Sequence, residues 1–198
     1  MATVKSKQNP RCAWCHGDEL YERYHDNEWG VPLFDEQTLF EFLLLEGAQA
    51  GLSWITVLRK REGYRQAFDN FDPEKIARYS DKKIAKLLQN PNIIRNRLKI
   101  TSAVKNARAY LELKNGGTSF SDFFWQFVDG VPKQNRWRTM KQIPASTKIS
   151  DALSKALKQR GFTFVGSTIC YAHMQATGMV NDHLVTCPRY LPCQKLSP

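Results

Sequence analysis

Residues 150–178 read SDALSKALKQRGFTFVGSTICYAHMQATG. Two helical stretches flank a short turn bounded by Gly161 and Gly166. In the first, Ala152, Leu153, Ala156 and Leu157 recur at helical spacing, Lys155, Lys158 and Arg160 fall outside that stripe, and Ser150 stands as the N-cap. Gly161 sits where a left-handed helix end is wanted, Gly166 opens the second helix, and Gly178 stops it. Helix, tight glycine-bounded turn, helix is the layout of a helix-hairpin-helix element, whose unpaired backbone N–H groups meet one DNA phosphate without reading sequence. The same pattern also makes an ordinary αα-hairpin. Either reading predicts helices packed on helices.

Outward from this stretch the helical signal repeats. FDEQTLFEFLLLEGAQAG, residues 34–51, carries Leu39, Phe40, Leu43 and Leu44 at helical spacings, and Gly47, Ala48 and Ala50 near its end allow another backbone to approach closely. Ser53 is placed to cap a helix striped by Trp54, Val57 and Leu58. Asp72 caps a helix with Pro73 at its first position and Glu74 in its first turn, and a neighbour begins at Ser80 and stops near Asn90-Pro91-Asn92. A longer helix is expected through residues 93–113, ending at Gly116 and Gly117, with Ile100, Ala103, Val104, Ala107 and Leu111 facing inward. Arg95, Arg97 and Lys99 gather at its start, where positive charge opposes the helix dipole unless solvated or matched by an anion. Residues 119–128 form another short helix, and residues 131–148 the longest irregular, basic loop. No run of alternating residues predicts a strand, so the fold class is all-α.

The chain of 198 residues has 42% apolar content and no linker, repeat or low-complexity run, and reads as one domain that needs no metal to build a core. Lys and Arg outnumber Asp and Glu by 29 to 19, a formal charge of +10. That balance suits a nucleic-acid partner as well as a merely solvated basic surface, and five tryptophans supply flat apolar faces on which bases stack. The first ten residues have lysines but no apolar export core, and nothing approaches the ~20 apolar residues of a membrane helix. The expectation is a cytoplasmic protein with reduced thiols.

Cysteine and histidine cluster at the two ends: Cys12, Cys15, His16 and His25, then Cys170, His173, His183, Cys187 and Cys193. RCAWCHGDEL, residues 11–20, contains C-x-x-C-H, which serves haem attachment, a redox pair or half of a zinc site. A tetrahedral zinc site needs four of the nine, and His183-x-x-x-Cys187 would set two on one helical turn. Spacing alone leaves scattered reduced thiols as the competing account.

YHDNEWGVP (residues 24–32), EGAQAGLSW (residues 46–54), IIRNRLKI, NARAYL and the hairpin stretch together resemble the bacterial DNA-3-methyladenine glycosylase I family, from Arg11 to Cys187. The resemblance implies membership of the helix-hairpin-helix glycosylase superfamily, with a single glycosylase domain at residues 11–187, a basic extension at 1–10 expected to be disordered and a tail at 188–198. It implies a structural zinc, one per chain, held by Cys12, His25, His183 and Cys187 and joining the N- and C-terminal segments, with Cys15 and His16 outside it. It places Trp14, Tyr21, Tyr24, Trp29, Trp54 and Glu46 in a base pocket.

The activity so implied is DNA repair. N3-methyladenine is flipped from alkylated double-stranded DNA and its N-glycosidic bond hydrolysed, releasing free 3-methyladenine and leaving an abasic site. Because the methylated base carries positive charge, an aromatic cage favours it by cation–π attraction and the leaving group needs no strong acid. Glu46 is the candidate for base recognition and electrostatic help, with Tyr24 beside it. Gly51 and Leu52 are expected to fill the gap in the stack, and Gly161, Phe162, Thr163, Gly166 and Ser167 to grip phosphates. No lysine matches a nucleophile position, so no lyase step is expected. The implied enzyme is a monomer acting on the nucleoid.

Overall fold

The computed structural model describes residues 11–196. A 3-10 turn at Ala13–Cys15 leads into α1 (Glu19–Asn27), whose start is fixed by the Asp18 carboxylate accepting from the Tyr21 amide. α2 (Glu36–Gln49), capped by Asp35, is buried at every residue from Leu39 to Ala48 and forms the axis of the molecule. Around it run α3 (Trp54–Leu58), α4 (Arg61–Ala67), α5 (Pro73–Ala77), α6 (Asp81–Gln89), α7 (Arg97–Asn115) and α8 (Phe120–Trp125). The chain continues through β1 (Lys133–Gln134), α9 (Lys148–Gln159), α10 (Ser167–Ala176), β2 (Val180–Asn181) and α11 (Tyr190–Gln194). α5 and α6 lie on α7, α9 lies on α10, and α2 contacts α3, α7, α8 and α10.

The molecule is mostly helical, as expected, and most helix starts follow from their caps. Asp72 accepts from the Glu74 and Lys75 amides and Ser80 from the Lys83 amide. Three expectations shift. α9 begins at Lys148 rather than after Ser150, because Thr147 accepts from the Ser150 amide while the Ser150 hydroxyl accepts from the Thr147 amide. α7 begins at Arg97, where the Asn96 side chain accepts from the Lys99 amide, so Ile93, Ile94 and Arg95 precede it. Ser53 occupies the N-cap of α3, but its hydroxyl pairs with Thr56 Oγ1 at 2.7 Å instead of a backbone amide.

The basic loop is less irregular than its composition suggests. Lys133–Gln134 pairs in parallel with Val180–Asn181, which brings the loop against the chain after α10. Residues 188–196, read as tail, include α11, with Tyr190 and Cys193 buried. The expectation for residues 1–10 lies outside the described residues.

Two glycines let backbones meet. At Gly47 on α2 a Cβ would stand 3.3 Å from Phe164 Cβ, so the turn between α9 and α10 seats directly on the central helix. Gly178 has φ +69°, and a Cβ there would fall 2.3 Å from the Val31 carbonyl carbon. The segment it admits is tied to α10 by the Gly30 amide donating to Gln175 O at 3.0 Å and the Leu33 amide donating to Thr177 O at 3.1 Å. Gly178→Ala must therefore force both a left-handed side chain and a backbone clash. A loss of about 3 kcal/mol or more in urea unfolding is expected.

Candidate functional site

A cavity of about 330 Å³ opens between α1, α2, α3, α10 and the 131–148 loop. Trp14, Tyr21, Tyr24, Trp29, Glu46 and Trp54 all line it. α1 supplies Tyr21 and Tyr24 one turn apart, so both rings share a helix face. Trp14 packs 4.7 Å from Tyr21 and 5.1 Å from Trp29 between ring centroids, while Tyr24 and Trp54 lie 5.5 Å apart. The aromatic residues thus brace one another as a continuous wall.

α2 carries two buried carboxylates with opposite circumstances. Glu41 receives Arg61 Nε at 2.5 Å and Arg65 at 2.9 Å, and Arg61 also bonds Glu28, so this acid is matched by guanidinium groups. Glu46, only 3% exposed, accepts no hydrogen bond among the described residues. Burial alone pushes its pKa up to about 8. Tyr24 is held well above its ordinary value, first by burial and then by the nearby Glu46 carboxyl. The Trp54 indole N–H is likewise buried without an acceptor. A cavity that keeps an acid and a donor unsatisfied is prepared for a polar ligand.

Behind this wall lies the Cys/His cluster. One ligand atom from each of Cys12, His25, His183 and Cys187 lies within 4.8 Å of the others, and all four residues are buried. Cys187 Sγ is 3.4 Å from His25 Nε2 and 3.5 Å from His183 Nδ1, and Cys12 Sγ is 3.9 Å from His183 Nδ1. Sulfur at about 2.3 Å and nitrogen at about 2.0 Å from a tetrahedral ion give edges of about 3.3–3.8 Å, close to these spacings. His25 Nδ1 faces Asp26 Oδ1 at 2.8 Å, and His183 Nε2 faces the Trp29 carbonyl at 3.0 Å. Each acceptor claims a ring proton and leaves the other nitrogen's lone pair toward the cluster. The Cys12 thiol beside it holds Cys187 far below its ordinary pKa, with further help from both rings, while the same pairing and burial push Cys12 up. The donor set fits a metal ion.

His183 and Cys187 do not share a helical turn. They sit in an irregular segment where the Cys187 amide donates to Leu184 O at 2.7 Å, so the two meet through a turn and not through the helical spacing expected of His183-x-x-x-Cys187. Cys15 is buried, its thiol donating to Cys12 O at 3.1 Å, and His16 is exposed, so neither joins the cluster.

The residues expected on DNA divide into three kinds. Gly51, with φ +78°, and Leu52, 40% exposed, stand out from the end of α2. Lys99 reaches this turn and donates to Ala48 O at 2.8 Å and Ala50 O at 2.6 Å, so it serves the helix end and not an anion. In the α9–α10 turn, Gly161 and Phe162 amides donate to Lys158 and Leu157 carbonyls, the Thr163 amide donates to Asn106, and the Phe162 ring is buried. The Gly166, Ser167 and Thr168 amides have no acceptor among the described residues. The Ser167 hydroxyl donates to Asp151.

Sequence reasoning missed the far wall of the cavity: Met140, Ile143 and Pro144 from the loop, and Thr168, Tyr171 and Gln175 from α10. The signal available was Trp137 and Ile143-Pro144-Ala145, apolar residues inside an otherwise basic loop.

A helical frame closes an aromatic-walled cavity around an unmatched acid, a site built for a flat polar ligand. The methyladenine glycosylase family matches residues 14–190, and the chain belongs to it. The chain is 56% identical over 180 residues to DNA-3-methyladenine glycosylase 1 of Escherichia coli (strain K12), covering 91% of this chain and 96% of that protein. It is 53% identical over 178 residues to DNA-3-methyladenine glycosylase of Haemophilus influenzae, covering 90% and 96%. Among solved structures, 3-methyladenine DNA glycosylase I of Staphylococcus aureus, described for its recognition of 3-methyladenine, superposes with a TM-score of 0.88 at 39% identity, covering 90% of this chain and 95% of that one.

Two outcomes follow from the site's geometry. His183→Ala should lower bound metal from about one ion per chain, measured by atomic emission, and lower the melting temperature with it. For Glu46, a folded pKa near 8 above an unfolded value of 4.5 means the unfolded chain releases its proton first as pH rises. Stability is therefore full below the lower value and falls between the two, by about 1.4 kcal/mol per pH unit. Glu46→Gln should abolish this share of the decline in urea melts at pH 5–8.

Proposed function

We propose that the cavity receives N3-methyladenine flipped from alkylated double-stranded DNA and that its N-glycosidic bond is hydrolysed there, releasing 3-methyladenine and leaving an abasic site. Family membership and the relatives' activity support this reading. The single observation that carries it in this chain is Glu46, buried and unmatched in a cage of Trp14, Tyr21, Tyr24, Trp29 and Trp54.

The chemistry follows from charge. The aromatic faces attract the cationic methylated base, each desolvated contact contributing about 2 kcal/mol, whereas neutral adenine gains only stacking. Glu46 accepts from the purine edge, and the incoming positive charge is what restores its carboxylate form in a site that otherwise resists ionisation. With Tyr24 beside it, Glu46 also stabilises the developing sugar cation. Methylation has already made the base a good leaving group, so orientation and electrostatics suffice. Among the described residues no lysine lines the cavity, which favours simple hydrolysis without strand cleavage.

The remaining parts assist. Leu52, beside Gly51, enters the gap left by the flipped nucleotide, offsetting an unstacking cost of roughly a few kcal/mol. α9 and α10 form a helix-hairpin-helix element whose free amides at Gly166, Ser167 and Thr168 take a phosphate, while Gly161, Phe162 and Thr163 shape the turn. Zinc is the metal suited to a closed, buried Cys₂His₂ set, and it supplies structure rather than an activated water. The reading includes a monomer that acts in the cytoplasm on nucleoid DNA. Among the described residues no helix is long and apolar enough to cross a membrane.

The decisive assay incubates the protein with methylated DNA and identifies the freed bases. Release of 3-methyladenine with little 7-methylguanine is expected, and no release by folded, metal-loaded protein would overturn the reading. Glu46→Gln should cut excision by about 100-fold while leaving affinity for abasic DNA within a factor of a few. Equal losses would move Glu46 to a structural role.

A further inference from the structure

The hairpin helix is followed by an acid that none of the foregoing uses. Asp182 is fully buried, and its two oxygens accept from four donors: Asn135 Nδ2 at 2.6 Å, Trp137 Nε1 at 2.7 Å, the Tyr171 hydroxyl at 2.6 Å and Gln175 Nε2 at 2.7 Å. Two donors come from the 131–148 loop and two from α10, so this one carboxylate joins both halves of the cavity's far wall.

The consequence is chemical as well as mechanical. A carboxylate only accepts, so Gln175 must offer it the amide nitrogen, and Tyr171 its hydroxyl proton. Gln175 lines the cavity, and its side-chain oxygen Oε1 accepts nothing among the described residues. The far wall therefore turns the Tyr171 and Gln175 donors behind it and leaves the Gln175 side-chain oxygen as an acceptor beside the cavity.

We infer that Asp182 is a positioning residue that locks the Gln175 amide with its carbonyl oxygen available to the base, making Gln175 a reader of the purine 6-position. A 6-amino group donates to that oxygen, while a 6-oxo group sets two acceptors against each other. The arrangement selects methylated adenine over methylated guanine even though both lesions are cationic and stack equally well on the aromatic wall. The inference rests on the cavity taking methyladenine. It adds a second acceptor to Glu46, which takes its own hydrogen bond from the purine edge, and a discrimination that cation–π attraction, responding to charge alone, does not supply.

The test measures excision of 3-methyladenine and 3-methylguanine from the same methylated DNA by the wild type, Gln175→Leu and Asp182→Asn, with melting temperature and metal content recorded for each. Gln175→Leu removes the acceptor, and a roughly fivefold fall in the 3-methyladenine to 3-methylguanine ratio is expected, the size of one lost hydrogen bond. Asp182→Asn frees the amide to turn over and should shift the ratio the same way with metal retained. If Asp182→Asn loses metal or unfolds, Gln175→Leu alone decides the specificity. A parallel loss of both activities at constant ratio in Gln175→Leu overturns the inference while leaving the enzyme reading intact. Failure of the wild type to release 3-methyladenine instead overturns the reading on which it rests.

Discussion

The cluster of Cys12, His25, His183 and Cys187 is the constraint from which the cavity's shape follows. Its histidine rings are not remote from the aromatic wall but form the layer behind it. His25 lies 5.3 Å from Trp14, and Trp29 packs 4.7 Å from His183 between centroids. The Trp29 carbonyl fixes the His183 ring, and the His25 ring is oriented by Asp26, which Arg11 holds in turn at 2.8 Å. Loosening the cluster would therefore free Trp14 and Trp29 together. A metal in such a closed site affects activity through geometry alone, since rigid placement of flat rings is what makes stacking and cation–π attraction selective.

α2 shows how one helix divides stability from function. Its residues from Leu39 to Ala48 are buried on every side, so any charge there must be compensated or must be costly. Glu41 is compensated: Arg61 and Arg65 meet it, Arg61 also reaches Glu28, and the guanidinium lies 4.9 Å over the Phe42 ring. That ion pair anchors α4 and the end of α1 to the axis. Glu46, five residues on, faces the cavity with no cation and bears the desolvation cost itself. The contrast on a single helix separates an acid kept for the fold from an acid kept for a ligand.

Much of this was legible in the sequence because it depends on local rules. The caps at Asp72 and Ser80, the glycine-bounded turn at 161–166 and the small residue at Gly47 all follow from short-range sterics and hydrogen bonding, and each holds. The cavity's near wall and the four metal-site residues could be placed only through likeness to a family, since spacing left nine Cys and His residues as equals. What could not be read was long-range. Asp182 looks like any polar residue after Gly178, and its four donors come from positions 7–47 residues away. Lys99 likewise reads as one cation among three, yet it crosses to the carbonyls of Ala48 and Ala50. Nor does the loop's charge warn that it lays Met140 and Ile143 against a cavity.

These two unread contacts hold opposite sides of one opening. Lys99 closes the end of α2 by donating to the Ala48 and Ala50 carbonyls, and so fixes the turn from which Gly51 and Leu52 leave the helix. Asp182 draws the loop and α10 together across the cavity from that turn. Neither side chain need touch DNA or base to matter. In a basic protein with many solvent-facing cations, the half-buried Lys99 and the buried Asp182 are charges whose partners lie within the fold, as are Arg61 and Glu41. Affinity for DNA can thus vary with surface charge while the geometry of excision stays fixed by interior pairs that salt screens little.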